Sequence, residues 1–356
     1  RAFAGPEQVV IDVTNRCNEK CVGCWLYSPL LKKRPAAGWL KQELAFPETK
    51  KLIASLKKLG TKEIRFTGGG EPFLHPQIME FIGLVKSSGM RCAVTTNFSL
   101  INNGKLKKLI ESGIDELTVS LWAASDFIYQ KTHPGTSSDR FSQIHENLQR
   151  LMKEKNQGLS VVLSNVICNL NYMEIEEMFR FALDLGVEGL YFTLVDTLEG
   201  TEELLLNSGE RKIALQKAEA VKKVWQNLPE EKKLRMDYFD GFLSRLRCEG
   251  ALTGNYDEVR TGKMPCYAGW AFARVLADGD VAPCCRGVKK TMGNINVTSF
   301  EKIWYGSRYN EFRRKAESLP KTDSYFQDVG CLKECDNLMQ NEKIYTRIYG
   351  SDQRFS

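Results

Sequence analysis

Strand-like and helix-like segments alternate through six units in the first half of this chain, and that alternation restricts the fold more than any other feature. An apolar strand at 9–13 is followed by a long polar loop. Phe46 and Pro47 then open a helix whose Leu52, Ile53, Leu56 and Leu59 recur at helical spacing until Gly60 stops it. The cycle repeats as strand 62–67, helix 76–88 ending at Gly89, strand 90–96, helix 103–112 ending at Gly113, and strand 115–121. It continues as helix 139–156, strand 159–167, helix 171–185 ending at Gly186, and strand 188–195. Strands separated by helices of this length predict a parallel sheet with right-handed crossovers. Six units are too few for a closed eight-stranded barrel.

The residues that carry chemistry collect at the carboxyl ends of these strands, where active sites of α/β folds form. Cys17, Cys21 and Cys24, in the run Cys-Asn-Glu-Lys-Cys-Val-Gly-Cys, follow the first strand, and Thr67-Gly68-Gly69-Gly70-Glu71-Pro72 follows the second. Thr96 and Asn97 end the third, Ser120 the fourth, and Asn165 and Cys168 the fifth. A [4Fe–4S] cluster takes four ligands, normally thiolates, so three neighbouring cysteines leave one iron open to a second molecule. The same spacing suits a structural zinc site with one distant ligand. A disulfide framework fits poorly, because the eleven cysteines are odd in number and no secretory signal precedes them. The glycines at 68–70 let backbone approach a ligand closely, and they equally suit a tight strand-to-helix turn.

The Cys-x3-Cys-x2-Cys loop and the Gly-Gly-Gly-Glu-Pro turn together resemble the radical S-adenosylmethionine (SAM) superfamily. The resemblance implies an α/β fold, a partial (β/α)6 TIM-type barrel with a small C-terminal iron–sulfur (SPASM/twitch) domain. It implies a [4Fe–4S] cluster on Cys17, Cys21 and Cys24, whose open iron is chelated by the SAM amine and carboxylate. Reductive cleavage then gives a 5′-deoxyadenosyl radical that takes a hydrogen atom from substrate. By the same resemblance Gly69, Gly70 and Glu71 bind the SAM amino group, and Asn97 and Ser120 contact its ribose or carboxylate. Both also suit ordinary strand-end polar residues. Many family members carry an aromatic residue just before the third cysteine, near adenine. Gly23 stands there in this chain, and Trp25 is the candidate replacement.

Residues 201–247 read as charged amphipathic helices forming a connector, and six cysteines follow between 248 and 335. Cys266 is followed by twelve residues, Gly279, four residues, Cys284, and later Cys331-x3-Cys335. Asp278-Gly279-Asp280 predicts a hairpin turn that brings the flanks of Cys266 and Cys284 together. This spacing resembles the opening of a SPASM or twitch domain. The resemblance implies one auxiliary [4Fe–4S] cluster on Cys266, Cys284, Cys331 and Cys335. A zinc ion with the same four thiolates is the alternative. Cys285 is a candidate hydrogen donor to a carbon radical, a substitute ligand, or a buried apolar residue. Cys92 and Cys168 read as core, and Cys248 has no assigned role. Among the three histidines only His133, on a loop after strand four, is placed to reach substrate, against a surface or capping role.

The expected division is 7–200 barrel, 201–247 connector, 248–340 auxiliary-cluster domain and 341–356 tail. The 50 basic and 44 acidic residues are scattered, so no nucleic-acid partner is expected, and no stretch is apolar enough for a membrane span. A cytoplasmic enzyme using a flavodoxin- or ferredoxin-type low-potential donor is expected. The chain starts at Arg1, which leaves room for a missing N-terminal piece. The expected outcome is oxidation or other modification of a small polar metabolite of sugar or aminocyclitol type. The alternatives are a peptide-modifying maturase, by crosslinking or epimerisation, and a non-catalytic metal-binding scaffold.

Overall fold

The computed structural model describes residues 2–319, 321, 323–331 and 333–350, so residues 351–356 of the expected tail lie outside the described residues. The strands are β1 (Gln8–Asp12), β2 (Glu63–Thr67), β3 (Arg91–Thr96), β4 (Glu116–Ser120), β5 (Ser160–Ile167), β6 (Gly189–Leu194), β7 (Arg235–Asp237), β8 (Phe272–Val275), β9 (Asp280–Ala282) and β10 (Gly293–Asn294). They share one mixed sheet in the order β10-β9-β8-β1-β2-β3-β4-β5-β6-β7. The predicted α/β architecture, with a C-terminal segment added to a parallel core, is therefore met. Helices α1 (Phe46–Lys58), α2 (Ile78–Ser87), α3 (Asn103–Glu111), α4 (Asp126–Thr132), α5 (Arg140–Glu154) and α6 (Ile175–Leu185) join the first six strands. No helix among the described residues is long and apolar enough to cross a membrane.

Contact density divides the chain into two units. The first comprises 1–16, 41–92 and 255–356. In it β1 lies between β2 and β8, parallel to both, with Ile11 opposite Phe66 on one side and Val275 on the other. Because both neighbours are strands and both faces are covered, β1 reads as a continuous apolar run whose Val9, Val10 and Ile11 are buried. The predicted hairpin is present. β8 and β9 pair antiparallel, and Gly279 takes φ +89°, a left-handed conformation that glycine adopts without strain. Arg274 on β8 reaches Asp12 at the end of β1 with Nε at 3.2 and 3.1 Å and Nη2 at 2.8 Å, while its Nη1 donates to the Cys285 carbonyl at 3.3 Å. One buried cation thus ties the strand that leads into the first cysteine loop to the backbone beside Cys284.

The second unit comprises 17–40 and 93–254. Its β4, β5, β6 and β7 are parallel, with Leu117 opposite Val161 and Leu163 opposite Leu190. Residues 201–247 are mainly α7 (Ser208–Gln226), β7 and α8 (Phe239–Arg247). An Asn207–Glu210 capping box starts α7. Phe239 and Phe242 of α8 pack on Phe192 of β6 at 5.8 and 5.6 Å between ring centroids.

The first unit ends in α9 (Glu258–Gly262), α10 (Ala268–Ala271), α11 (Phe300–Trp304), α12 (Ser307–Glu317), α13 (Ser324–Asp328) and α14 (Leu338–Tyr349). Arg313 of α12 is buried between the rings of Trp304 and Tyr309, its guanidinium carbon 4.6 and 5.0 Å from their centroids, and its Nε donates to the Gly269 carbonyl at 2.6 Å.

Candidate functional site

The first cysteine loop rests on an apolar floor. Val22 packs with Trp122, Cys168, Val195 and Leu204, and Cys21 lies against the same cluster. Two anchors from α4 fix the loop from above the strand ends. The Thr132 carbonyl accepts from the Val22 N–H at 2.9 Å, and the Tyr129 hydroxyl donates to both Glu19 carboxylate oxygens at 3.1 and 3.0 Å. His133 stacks on Tyr129 with centroids 4.1 Å apart. Its Nε2 is 3.9 Å from Glu19, and burial holds its pKa down at about 3, so the ring is neutral. Of the roles expected for His133, the capping one holds, while reach to substrate and a surface position do not. His133 caps α4 and is 1% exposed.

Cys21 and Cys24 have no disulfide partner, and burial pushes both thiols up. On Cys21 the charges of Cys24, Glu19 and Cys17 add to that shift. A buried thiol raised by the thiols beside it belongs to a donor set that a metal would turn into thiolates. Glu19, Cys21 and His133 also place ligand atoms within 4.8 Å of one another. Cys24 Sγ accepts from the Leu26 and Tyr27 N–H groups at 3.4 Å.

Asn97 and Ser120 stand at the ends of β3 and β4, as the sequence places them. Asn97 donates to Asn18 Oδ1 at 3.0 Å and accepts from the Ser99 hydroxyl at 2.7 Å, tying the strand end to the cysteine loop. Ser120 accepts from Trp122 Nε1 at 2.9 Å. A Cβ on Gly23 would lie 2.9 Å from Val195 Cγ2 and 3.3 Å from the Trp122 ring, so the space of a side chain there is already filled. Trp122 takes φ +61°, a strained conformation for a tryptophan, and Asn165 holds it by accepting from its N–H at 3.0 Å. Trp25 meets Trp39 edge-on at 5.7 Å.

In the first unit, the Gly68–Gly70 turn is pinned to the strand extension before Cys17. The Gly70 N–H donates to the Thr14 carbonyl at 2.9 Å and the Glu71 N–H to the Arg16 carbonyl at 2.8 Å. The Glu71 carboxylate turns inward and accepts from the Phe73 N–H at 3.0 Å, capping the 3₁₀ turn Pro72–Leu74. Gly70 is needed for contact with protein backbone itself: its Cβ would sit 1.9 Å from the Arg16 carbonyl oxygen.

Cys266, Cys284, Cys331 and Cys335 line one pocket, with Arg286, Tyr325, Phe326, Glu334 and Asp336 around it. No disulfide joins them. Burial first, then the neighbouring thiols, pushes Cys284 and Cys335 well up. A set of four cysteines fits a zinc ion or an iron–sulfur cluster. Two residues that the sequence did not single out orient these ligands. Asp257 accepts from the Cys335 N–H at 2.8 Å, and Asn341 accepts from the Tyr267 N–H beside Cys266 at 2.8 Å. Cys285 is not among the pocket's lining residues. Burial pushes its thiol up to about 12, with Asp336, Arg274 and Asp12 also acting on it. Cys92 and Cys168 are fully buried core, as expected, and Cys248 donates to the Arg245 carbonyl at 3.3 Å.

The family model described as "Radical SAM superfamily" matches residues 11–182, and the one described as "Iron-sulfur cluster-binding domain" matches 266–331. Among curated relatives, a GTP 3',8-cyclase of Chlorobaculum tepidum is 35% identical over 41% of this chain and 41% of its own length. An AdoMet-dependent heme synthase of Methanosarcina barkeri is 25% identical over 88% of this chain and 86% of its own. Among solved structures, Streptococcus suis SuiB bound to the precursor peptide SuiA superposes with a TM-score of 0.64 at 17% identity, covering 88% of this chain and 67% of that one. That likeness is one of fold.

Proposed function

Since this chain belongs to the radical SAM superfamily and carries its C-terminal iron–sulfur cluster-binding domain, we propose that it is a two-cluster enzyme that oxidises a small polar substrate by two electrons. The observation that carries the reading is the pocket of four thiols, which would leave a bound auxiliary cluster no open iron for substrate to occupy. When bound, the first cluster and SAM supply a 5′-deoxyadenosyl radical that takes a hydrogen atom from an unactivated C–H bond, and the auxiliary cluster supplies an acceptor for the electron the substrate then gives up.

The chain's own residues hold and insulate these groups. Cys17, Cys21 and Cys24 are assigned to the first cluster, and Cys266, Cys284, Cys331 and Cys335 to the second. Glu19, Tyr129 and Thr132 hold the first loop in one conformation. Gly69, Gly70 and Glu71 are assigned to the methionyl end of SAM, and Asn97, Ser120 and Trp25 to its remaining contacts. Cys285, outside the four-thiol pocket, has no part in the oxidation and is assigned as hydrogen donor only under the second reading, where epimerisation would return an atom to substrate. The proposed division stays at 7–200, 201–247, 248–340 and 341–356, and the proposed electron donor is a flavodoxin or ferredoxin type.

The relatives' names do not converge on one substrate, since they span a nucleotide cyclase and a heme synthase. Peptide modification is the second reading, because the fold is shared with a protein solved with a precursor peptide.

The test is a double substitution, Cys331→Ala with Cys335→Ala. Iron is expected to fall from about eight to about four per chain. Cleavage of SAM to 5′-deoxyadenosine is expected to persist while oxidised product is lost from an assay panel of polyols and peptides. Unchanged product formation at about four irons would remove the auxiliary cluster from the reaction.

A further inference from the structure

Tyr325, on α13, packs its ring against Phe312 at 5.3 Å and Phe326 at 5.5 Å between centroids. Its hydroxyl oxygen is buried and has no hydrogen-bond partner among the described residues. A buried hydroxyl without a partner bears the full desolvation penalty of a polar group, and native structures seldom leave one in that state. Protein backbone closes one approach to it. A Cβ on Gly287 would stand 3.1 Å from this oxygen and 2.9 Å from Pro283 Cδ, so the turn after Cys284 is already packed against the hydroxyl. Tyr325 also lines the pocket of Cys266, Cys284, Cys331 and Cys335. Glu334 and Asp336 line the same pocket, and neither accepts from it.

We propose that the Tyr325 hydroxyl donates a hydrogen bond to a sulfur of the cluster held by Cys266, Cys284, Cys331 and Cys335, and that this bond raises the reduction potential of that cluster. The inference rests on the auxiliary-cluster reading of the pocket. Reduction adds negative charge to the cluster sulfurs, so a donor aimed at one of them stabilises the reduced form more than the oxidised form. Tyr325 is a positioning and tuning residue; it transfers no atom.

Tyr325→Phe keeps the ring and removes only the donor. In a redox titration of the reconstituted two-cluster protein followed by electron paramagnetic resonance, the reduced-to-oxidised ratio of the auxiliary cluster at a fixed potential is expected to fall about tenfold, or about 59 mV. The first cluster should keep its midpoint, and iron should stay at about eight per chain. Thermal unfolding supplies the second measurement. In metal-free protein Tyr325→Phe should leave the midpoint unchanged or raise it, because an unsatisfied hydroxyl is removed, and in loaded protein it should lower the midpoint. An unchanged auxiliary potential at full iron content would overturn the inference. So would an equal loss of stability in both forms, which would make the hydroxyl a structural group. If wild-type protein holds only about four irons, all lost with Cys17, Cys21 and Cys24, the cluster reading itself fails and takes the inference with it.

Discussion

Replacing Cys17, Cys21 and Cys24 together by alanine is expected to reduce SAM cleavage to the reagent background while about four irons remain on the chain. The three thiols are the only cysteines in the loop that follows β1, and Cys21 feels the charge of both others. No other cysteine lies near them in the sequence: Cys92 and Cys168 are buried in the core, and the remaining six lie beyond residue 247. The fold should survive the change. Val22 keeps its bond to the Thr132 carbonyl, and Glu19 keeps Tyr129. The expected result is therefore a folded protein with an intact auxiliary site and no 5′-deoxyadenosine. Anaerobic reconstitution, iron analysis and product chromatography check it.

Gly70→Ala is expected to destabilise the fold by about 4 kcal/mol, combining overpacking with the loss of two buried backbone hydrogen bonds. The added methyl carbon would sit 1.9 Å from the Arg16 carbonyl oxygen, 2.4 Å from its carbon and 2.7 Å from the Asn15 carbonyl carbon. All three are backbone atoms, so no rotamer change makes room. Relieving the overlap breaks the bonds from Gly70 to Thr14 and from Glu71 to Arg16, and releases the segment that enters the first cysteine loop. Gly83→Ala is the matched control. That glycine lies inside α2 with nothing within 4 Å of its Cβ position, and the substitution should stabilise by roughly 0.5–1 kcal/mol. Denaturant midpoints of the two variants, moving in opposite directions, check the pair.

The βα alternation was readable because most elements state their period locally and four of the six joining helices are stopped by a glycine. Gly60, Gly89, Gly113 and Gly186 all take positive φ, at +84°, +74°, +68° and +70°. The cysteine positions were readable for a different reason: residue type and spacing alone identify a donor set. What the sequence hid were partners distant along the chain. Tyr129 meets Glu19 across 110 residues, and Asp257 meets Cys335 across 78. Neither pairing leaves a periodic trace. Helix α4, at 7 residues, is too short to show a helical stripe, so the capping role of His133 could be named from the sequence but its burial could not. β7, at 3 residues within a charged stretch, carried no strand signal, yet it extends the sheet beside β6. The role of Gly70 was also only half readable, since the sequence announces a close approach without saying that the approaching group is the chain's own Arg16 carbonyl.

The central claim is that one chain holds two clusters, only one of them open to SAM. Electron paramagnetic resonance of the reduced, anaerobically reconstituted wild-type protein, recorded before and after SAM addition alongside iron analysis, tests it most directly. The account predicts about eight irons per chain and two cluster signals, of which one shifts with SAM and the other does not. Zinc in place of iron, or a spectrum that SAM leaves wholly unchanged, would contradict it.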